Sequence, residues 1–459
     1  MIALLCAVLS AAMFYFSQGV DNVWWLTWFA PVPILWLAYG ETKKWQLFAA
    51  AFVAFAAGEI WSTGYGTILI VTEIAFIFGG GLLFAAIIMC VGRLRRILPS
   101  YALLLSFPLL WTSLEYLTGL ISPHGSFGSI AYSQVSFPAA IQVASLFGLY
   151  AVTFILCLFA NALALAARGE HKVAAAGIAF CALPLIFGVV RLAAPQGATI
   201  RVAALGDEGE NYFKSYSDPA AALAVTREYA DAVRAQAAKG ARLFVTPEGS
   251  VQLRPQNRAT ALTPLAAAAR DTHSIIVVGA VSRDPARDMA IALLPDGRRI
   301  DYDKRHRLLP LEAAYTPGHM PGLLGHGRAM VVCKDMDFPR TLRSDAQKGD
   351  IRIIAVPAGD FGMDRWIHGR MAIMRGVENG FAVLRAAFNG LETVSDAQGR
   401  VIARAPIDRL GGLTVTVADV APGPGPTLYT RIGDVFSWIC LLLSAGLLGW
   451  MFRKRTAPA

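Results

Sequence analysis

The chain has 459 residues, 55% of them hydrophobic and only 16% charged, with a formal net charge of +9. Soluble globular chains carry about 25% charge, so this composition, at a mean hydropathy of +0.49, excludes an ordinary soluble enzyme, a disordered chain, a collagen and a disulfide-rich miniprotein. Residues 1–197 hold fourteen Asp, Glu, Lys and Arg, and the remaining 262 residues hold fifty-nine. A membrane part therefore precedes an aqueous part long enough to bury its own core. No nucleic acid partner is expected, because much of the positive excess lies in short loops beside apolar segments.

A membrane-spanning helix needs roughly 20 mostly apolar residues. Runs of that kind fall near 2–18, 23–40, 46–63, 68–92, 101–120, 137–166, 173–193 and 430–452, about eight spans in all. The first has neither a basic leading region nor a clear small-residue cleavage site, so a retained helix is expected rather than a signal peptide. Lys43 and Lys44 follow the second span; Arg93, Arg95 and Arg96 the fourth; Arg168 and Lys172 the sixth; Arg453, Lys454 and Arg455 the eighth. The loops after spans one, three and five carry no Lys or Arg. Positive charge marks the cytoplasmic side, so both termini are expected in the cytoplasm and the segment between spans seven and eight outside. Glu59, Glu73 and Glu115 fall within or at the ends of spans. Such carboxylates are functional candidates by default, but a polar contact inside the bundle is the favoured expectation here.

From about residue 198 the texture becomes that of a water-soluble α/β domain. Thr199–Leu205 reads as a buried strand. Asp218-Pro219 supplies an N-cap and a first-turn proline for an alanine-rich helix ending at Gly240. Strands are expected at Arg242–Thr246, Ser274–Gly279, Met289–Leu294, Ala329–Cys333, Arg352–Val356 and Phe381–Ala387, with helices at about 257–271 and 364–380. Asp296-Gly297 and Gln398-Gly399 read as hairpin turns. The Pro- and Gly-rich run Ala421–Pro426 reads as a linker into the last span.

Of six cysteines, Cys6, Cys90, Cys157, Cys181 and Cys440 lie in apolar spans, where Cys is a small hydrophobe. Cys333 is the one cysteine of the aqueous part, and a lone thiol there is a candidate nucleophile, though a buried structural Cys remains the alternative on that ground alone. It opens CKDMDFP at a strand end. Upstream, LFVTPEG puts Glu248 at another strand end, and YDKRHRLLPLE carries Lys304 and Glu312 between them. Strand ends and the loops leaving them gather reactive groups in α/β folds. An ammonium near a thiol lowers its pKa and stabilises an oxyanion, and a carboxylate can take the thiol proton and pass it on. His306, beside the lysine, reads as loop decoration or a local hydrogen-bonding group. The histidines and Cys333 form no metal-ligand spacing, and no phosphate-binding glycine loop is present.

With these flanks, the order Glu, Lys, Cys resembles the nitrilase superfamily of carbon–nitrogen hydrolases. Met374–Gly390 is similar to the helix, strand and Asn-Gly turn that follow the cysteine there. The chain as a whole, including WTSLEYL at 111–117 and GSFGSIAYSQ at 125–134, resembles the membrane branch of that superfamily, the apolipoprotein N-acyltransferases. That resemblance implies a helical membrane domain over residues 1–197, an inserted nitrilase-like αββα sandwich over 198–427 on the periplasmic side of the bacterial inner membrane, and a last span with a basic tail over 428–459. It implies Glu248 as general base, Lys304 as oxyanion stabiliser, Cys333 as nucleophile, Glu312 as second carboxylate and the Lys334 backbone N–H as second oxyanion donor. The implied activity is transfer of an acyl chain from a phospholipid through a cysteine thioester to an apolipoprotein amine, in the bilayer and without a cofactor or metal. The sequence departs from the branch at Lys334-Asp335, where the acyltransferases usually carry Tyr-Glu, and at Leu311-Glu312-Ala313, where they carry Gly-Glu-Tyr. These departures leave a membrane-tethered amidase as the alternative.

Overall fold

The computed structural model describes residues 1–19, 22–65, 70–208, 214, 218–407 and 412–456. The start of the fourth predicted span and the C-terminal Ala459 lie outside the described residues. The chain divides into two compact units, Met1–Ile121 with Gly128–Ala193 and Ile432–Ala459, and Ser122–Phe127 with Ala194–Arg431.

The first unit is helical. Among the described residues, six helices are long and apolar enough to cross a membrane: Lys44–Gly64, Ile70–Leu94, Ser100–Ile121, Leu149–Ala166, His171–Ala193 and Val435–Arg453. The first two predicted spans fall on shorter apolar helices, Ile2–Gln18 and Trp24–Ala38. The predicted sixth span is divided, because Gly148 at φ 80° separates Pro138–Phe147 from the long helix that follows. Lipid is as apolar as the helices, so close packing and internal polar contacts hold such a unit together. The rings of Phe14, Phe55, Phe84 and Trp111 meet edge-on or tilted at 5.2–5.7 Å between centroids. Gly188 lies so close to the Ala139 backbone that no side chain fits there. Glu115 accepts hydrogen bonds from Trp111 Nε1 (2.9 Å), Ser129 Oγ (2.6 Å), Thr153 Oγ1 (2.6 Å) and the Ile130 N–H (3.1 Å). It is a polar contact inside the bundle.

The second unit is built on two sheets. The first holds β1 (Ile200–Gly206), β2 (Leu243–Val245), β3 (Val251–Leu253), β4 (Ile275–Arg283), β5 (Ala286–Leu293), β6 (Arg299–Asp303) and β13 (Thr414–Val420), in the order β13-β1-β2-β4-β5-β6 with β3 also on β4. The second holds β7 (Leu323–Gly325), β8 (Arg328–Met330), β9 (Ile353–Gly359), β10 (Ala382–Phe388), β11 (Leu391–Ser395) and β12 (Val401–Pro406), in the order β12-β11-β10-β9-β8-β7. Side chains alternate across each strand. In β1, Val202 and Ala204 enter the core between the sheets, whereas Ala203 and Leu205 pack under the helices Pro219–Ala237 and Thr263–Asp271. Helices Pro339–Gly349 and Arg365–Asn379 cover the second sheet with Leu342, Ala346 and Ala372. The layering is αββα.

The predicted strands fall on β1, β2, β4, β5, β8, β9 and β10, and both Gly297 and Gly399 turn at positive φ, 87° and 77°. Asp218 caps the Ala220 N–H at 2.9 Å. The Ala421–Pro426 stretch is coil but tied down, since the Gly423 N–H donates to the Arg352 carbonyl (2.7 Å) and the Gly425 N–H to that of Gly380 (3.0 Å).

Candidate active site

Four strand ends supply the site. β2 ends in the Thr246-Pro247-Glu248-Gly249 turn, where Gly249 takes φ 64° and the Glu248 N–H donates to the Ala358 carbonyl of β9 (3.1 Å). Lys304 leaves the end of β6 with its N–H on the Asp288 carbonyl (2.9 Å). Cys333 follows β8 at φ 37° and opens the single-turn helix Cys333–Asp337, its Sγ 3.4 Å from the carbonyl oxygen of Gly359 at the end of β9. Left-handed backbone at a non-glycine residue costs of order 1–3 kcal/mol and persists where the surroundings dictate it. Here it turns the chain sharply from strand to helix at the thiol.

Lys304 is only 2% exposed, and its ammonium lies 2.6 Å from Glu248 Oε1, 2.6 Å from Glu312 Oε1 and 3.1 Å from Asp288 Oδ2. It occupies the middle of a carboxylate group whose geometry would otherwise suit a cation. Burial pulls the Lys304 pKa down, but the three carboxylates override it and hold the amine charged. Burial pushes Glu248 up, yet the Lys304 charge and hydrogen bonds from its neighbours, the Cys333 thiol included, bring it below the usual carboxylate range. The Cys333 thiol is pushed well up by burial first and by the Glu248 charge second, with Lys304 and Arg385 opposing. The resting pair is thus a thiol beside an ionised carboxylate.

The structure brings Glu248, Lys304, Glu312 and Cys333 into one pocket, and Lys334 follows Cys333 in the turn. Glu312 is fixed through its second oxygen, which accepts the Leu308 N–H at 2.7 Å. Asp335, a departure from the acyltransferase pattern, ties the lysine loop to the cysteine turn: it accepts from Tyr302 OH (2.7 Å) and from the N–H groups of His306 (3.0 Å), Arg305 (3.2 Å) and Val332 (3.2 Å). His306 stacks on Phe338 with centroids 3.7 Å apart and its Nδ1 is 2.8 Å from Asp335. It serves the loop, as expected.

Sequence reasoning missed three groups. Asp288 is the third carboxylate at Lys304. Its signal was available, since in β5 Ala290 and Ala292 face the inter-sheet core while Met289, Ile291 and Leu293 face the helices, and period two puts Asp288 on the core side. Arg385 of β10 is buried in a bidentate pair with Asp360 and lends positive potential to the thiol. His124 accepts from the Lys334 ammonium at 3.1 Å and is held neutral, its pKa brought down to about 4 by burial and then by the Lys334 charge. Its neighbour Ser126 donates twice to the Asp337 carbonyl, from N–H (2.9 Å) and Oγ (2.8 Å). The short segment 122–127 thereby braces the turn that carries the thiol.

Residues 10–162 match the family profile described as the apolipoprotein N-acyltransferase N-terminal domain. An apolipoprotein N-acyltransferase of Geobacter metallireducens is 26% identical over 98% of this chain and 96% of its own length. One from Methylococcus capsulatus is 28% identical over 78% and 75%, and one from Shewanella oneidensis 25% over 77% and 74%. Among solved structures, an amidase from Nesterenkonia sp. AN1 with an acetamide moiety on its active-site cysteine is similar over 53% of this chain and 97% of its own, at 20% identity and TM-score 0.42. Along nearly its whole length the chain is similar to proteins named apolipoprotein N-acyltransferase.

Proposed function

We propose that this chain transfers an acyl chain from a phospholipid to the α-amino group of a diacylglyceryl-cysteine at the N-terminus of an apolipoprotein, by way of a thioester on Cys333. The observation that carries this is likeness to named acyltransferases along nearly the whole chain, apolar helices included. A soluble amidase has no use for six such helices. Both substrates are lipids, and burying each CH₂ is worth about 0.8 kcal/mol, so the reaction belongs at the bilayer.

Glu248 takes the Cys333 proton as sulfur attacks the ester carbonyl, and the oxyanion is held by the Lys304 ammonium and the Lys334 N–H. Collapse expels the lysophospholipid alkoxide, which receives the proton from Glu248, and leaves acyl-Cys333. The incoming amine then attacks the thioester, gives its proton to Glu248, and the departing sulfur recovers it. Glu312 keeps Lys304 in place throughout. No step needs a cofactor. Residues 198–427 work on the periplasmic side of the inner membrane, between helical parts 1–197 and 428–459, with both termini cytoplasmic; the one-sided loop charge supports this orientation.

The test uses full-length protein in detergent with a phospholipid carrying a labelled acyl chain. Acyl-protein should form, decay slowly alone and transfer rapidly to a diacylglyceryl-cysteine peptide. Rapid decay to free fatty acid with no acylated peptide would establish the amidase-like hydrolase instead. Absence of any thioester would direct the search to amide or nitrile substrates.

A further inference from the structure

We propose that Asp288 is a positioning residue held as the neutral acid, donating its proton toward Glu248 so that Glu248 remains the ionised base of the pocket. The inference rests on the site reading given under the proposed function.

The geometry requires a proton somewhere. Oxygens of Glu248, Asp288 and Glu312 lie within 4.8 Å of one another, and one ammonium serves all three. Three negative charges against one positive in a buried pocket repel strongly, and one carboxyl of such a group keeps its proton. Glu312 is excluded, because it accepts both the Leu308 N–H and Lys304 and is the most exposed of the three. Glu248 lies 2.6 Å from Lys304, as Glu312 does, and faces the Cys333 thiol. Asp288 has the longer approach to Lys304, its side chain is 3% exposed, and no N–H or O–H of the described residues reaches its Oδ1. Its carboxyl lies beside that of Glu248, oxygens within 4.8 Å, and two buried carboxyls this close are favourable only when one carries a proton. The charged groups facing Asp288 are Glu248 from the β2–β3 turn, Lys304 from the end of β6 and Glu312 from the loop beyond. Burial and the Glu248 charge push Asp288 well up, in agreement.

The arrangement has a catalytic use. When Glu248 receives the thiol proton, its hold on Lys304 weakens. With Asp288 already neutral, Glu312 is then the sole charged partner of the ammonium, which turns its remaining charge toward the new oxyanion. An ionised Asp288 would leave the group around Lys304 with a net negative charge, which repels the new oxyanion.

The experiment compares wild type, Asp288→Asn and Asp288→Ala as full-length protein in detergent. The wild-type-minus-Asn infrared difference spectrum should contain a carboxylic-acid carbonyl band at neutral pH. Asp288→Ala should lower both kcat/KM and the Cys333 alkylation rate by about a hundredfold, and Asp288→Asn should restore all but about tenfold, with the acid limb of the pH profile unmoved. An Asn variant no better than Ala, an acid limb displaced downward by about a unit, or no acid band overturns the assignment, since removing an ionised neighbour would lower the Glu248 pKa. The Asn comparison alone decides the matter if the alanine variant does not fold. Should wild type form no thioester while the band and the alkylation pattern hold, the acyl-transfer reading fails and the Asp288 assignment stands.

Discussion

At Cys333 the backbone conformation and the electrostatics act on the same atom: the strand-to-helix turn presents the thiol, and the ionised Glu248 faces it. Cys333→Ala should therefore abolish acyl-protein formation while leaving the fold intact, and Cys333→Ser should retain little, a hydroxyl being far less acidic than a thiol. Mass spectrometry of protein incubated with phospholipid measures both, and full turnover by the alanine variant would refute the mechanism. Lys304→Met is a less clean probe, because it strands buried carboxylates without a counter-charge at a cost of about 3–5 kcal/mol. His368 offers a pH signature. Burial lowers its pKa, but the Asp364 carboxylate 3.0 Å away more than compensates and raises it from 6.5 to about 9. The protonated pair stabilises the fold fully below pH 6.5, and that contribution disappears as pH rises through about 9. Thermal unfolding should show this decline in wild type and a flatter one in His368→Gln. Glu248, Lys304 and Cys333 were legible because each ends a strand with distinctive flanks. Asp288 was not, since a lone Asp in a strand has no flank, only its place in the alternation.

Among elements, the loop between β6 and β8 departs most from expectation. From sequence, its Gly- and Pro-rich stretch 313–327, with Met320, Leu323 and Leu324, reads either as a lid dipping toward the membrane or as ordinary loop packing; both leucines lie in β7 and pack on the inter-sheet core, while Met320 is exposed. Among the described residues, exposed apolar side chains include Leu309 and Leu311, which flank the Glu312 loop, and Phe361, which follows the end of β9. Polar truncation there removes surface suited to an acyl chain without opening the core. Leu309→Asp with Leu311→Asp should depress use of a long-chain phospholipid by about tenfold or more relative to a short soluble ester, several buried methylenes at about 0.8 kcal/mol each. Equal loss on both substrates would mark a folding defect. Helix Pro339–Gly349 was illegible for a plain reason: CKDMDFP reads as loop, and the proline that looks like a terminator is instead the first residue of a helix.

At the scale of the whole molecule, hydropathy gives the helical part but not its divisions. The sixth predicted span merges two elements because Gly148 breaks an apolar run without introducing charge. Charge asymmetry carries the remaining expectation. Alkaline phosphatase fused after Gly249 should be active, and a green fluorescent protein fused at the C-terminus should be bright. The reverse pattern would invert the topology and place Cys333 in a reducing compartment.

The antiparallel pairing of β1 with β13, Ile200 opposite Val420 and Gly206 opposite Thr414, has a consequence for biosynthesis. β1 emerges first, yet the partner for one of its edges is made roughly 200 residues later, some 10–40 s at ordinary elongation rates of about 5–20 residues per second. During that interval the nascent sandwich carries an open strand edge, a template for pairing with other chains. Completion of the sheet thus coincides with arrival of the last helix, so a chain truncated before Thr414 would lack both its last apolar helix and the strand that pairs with this edge of β1.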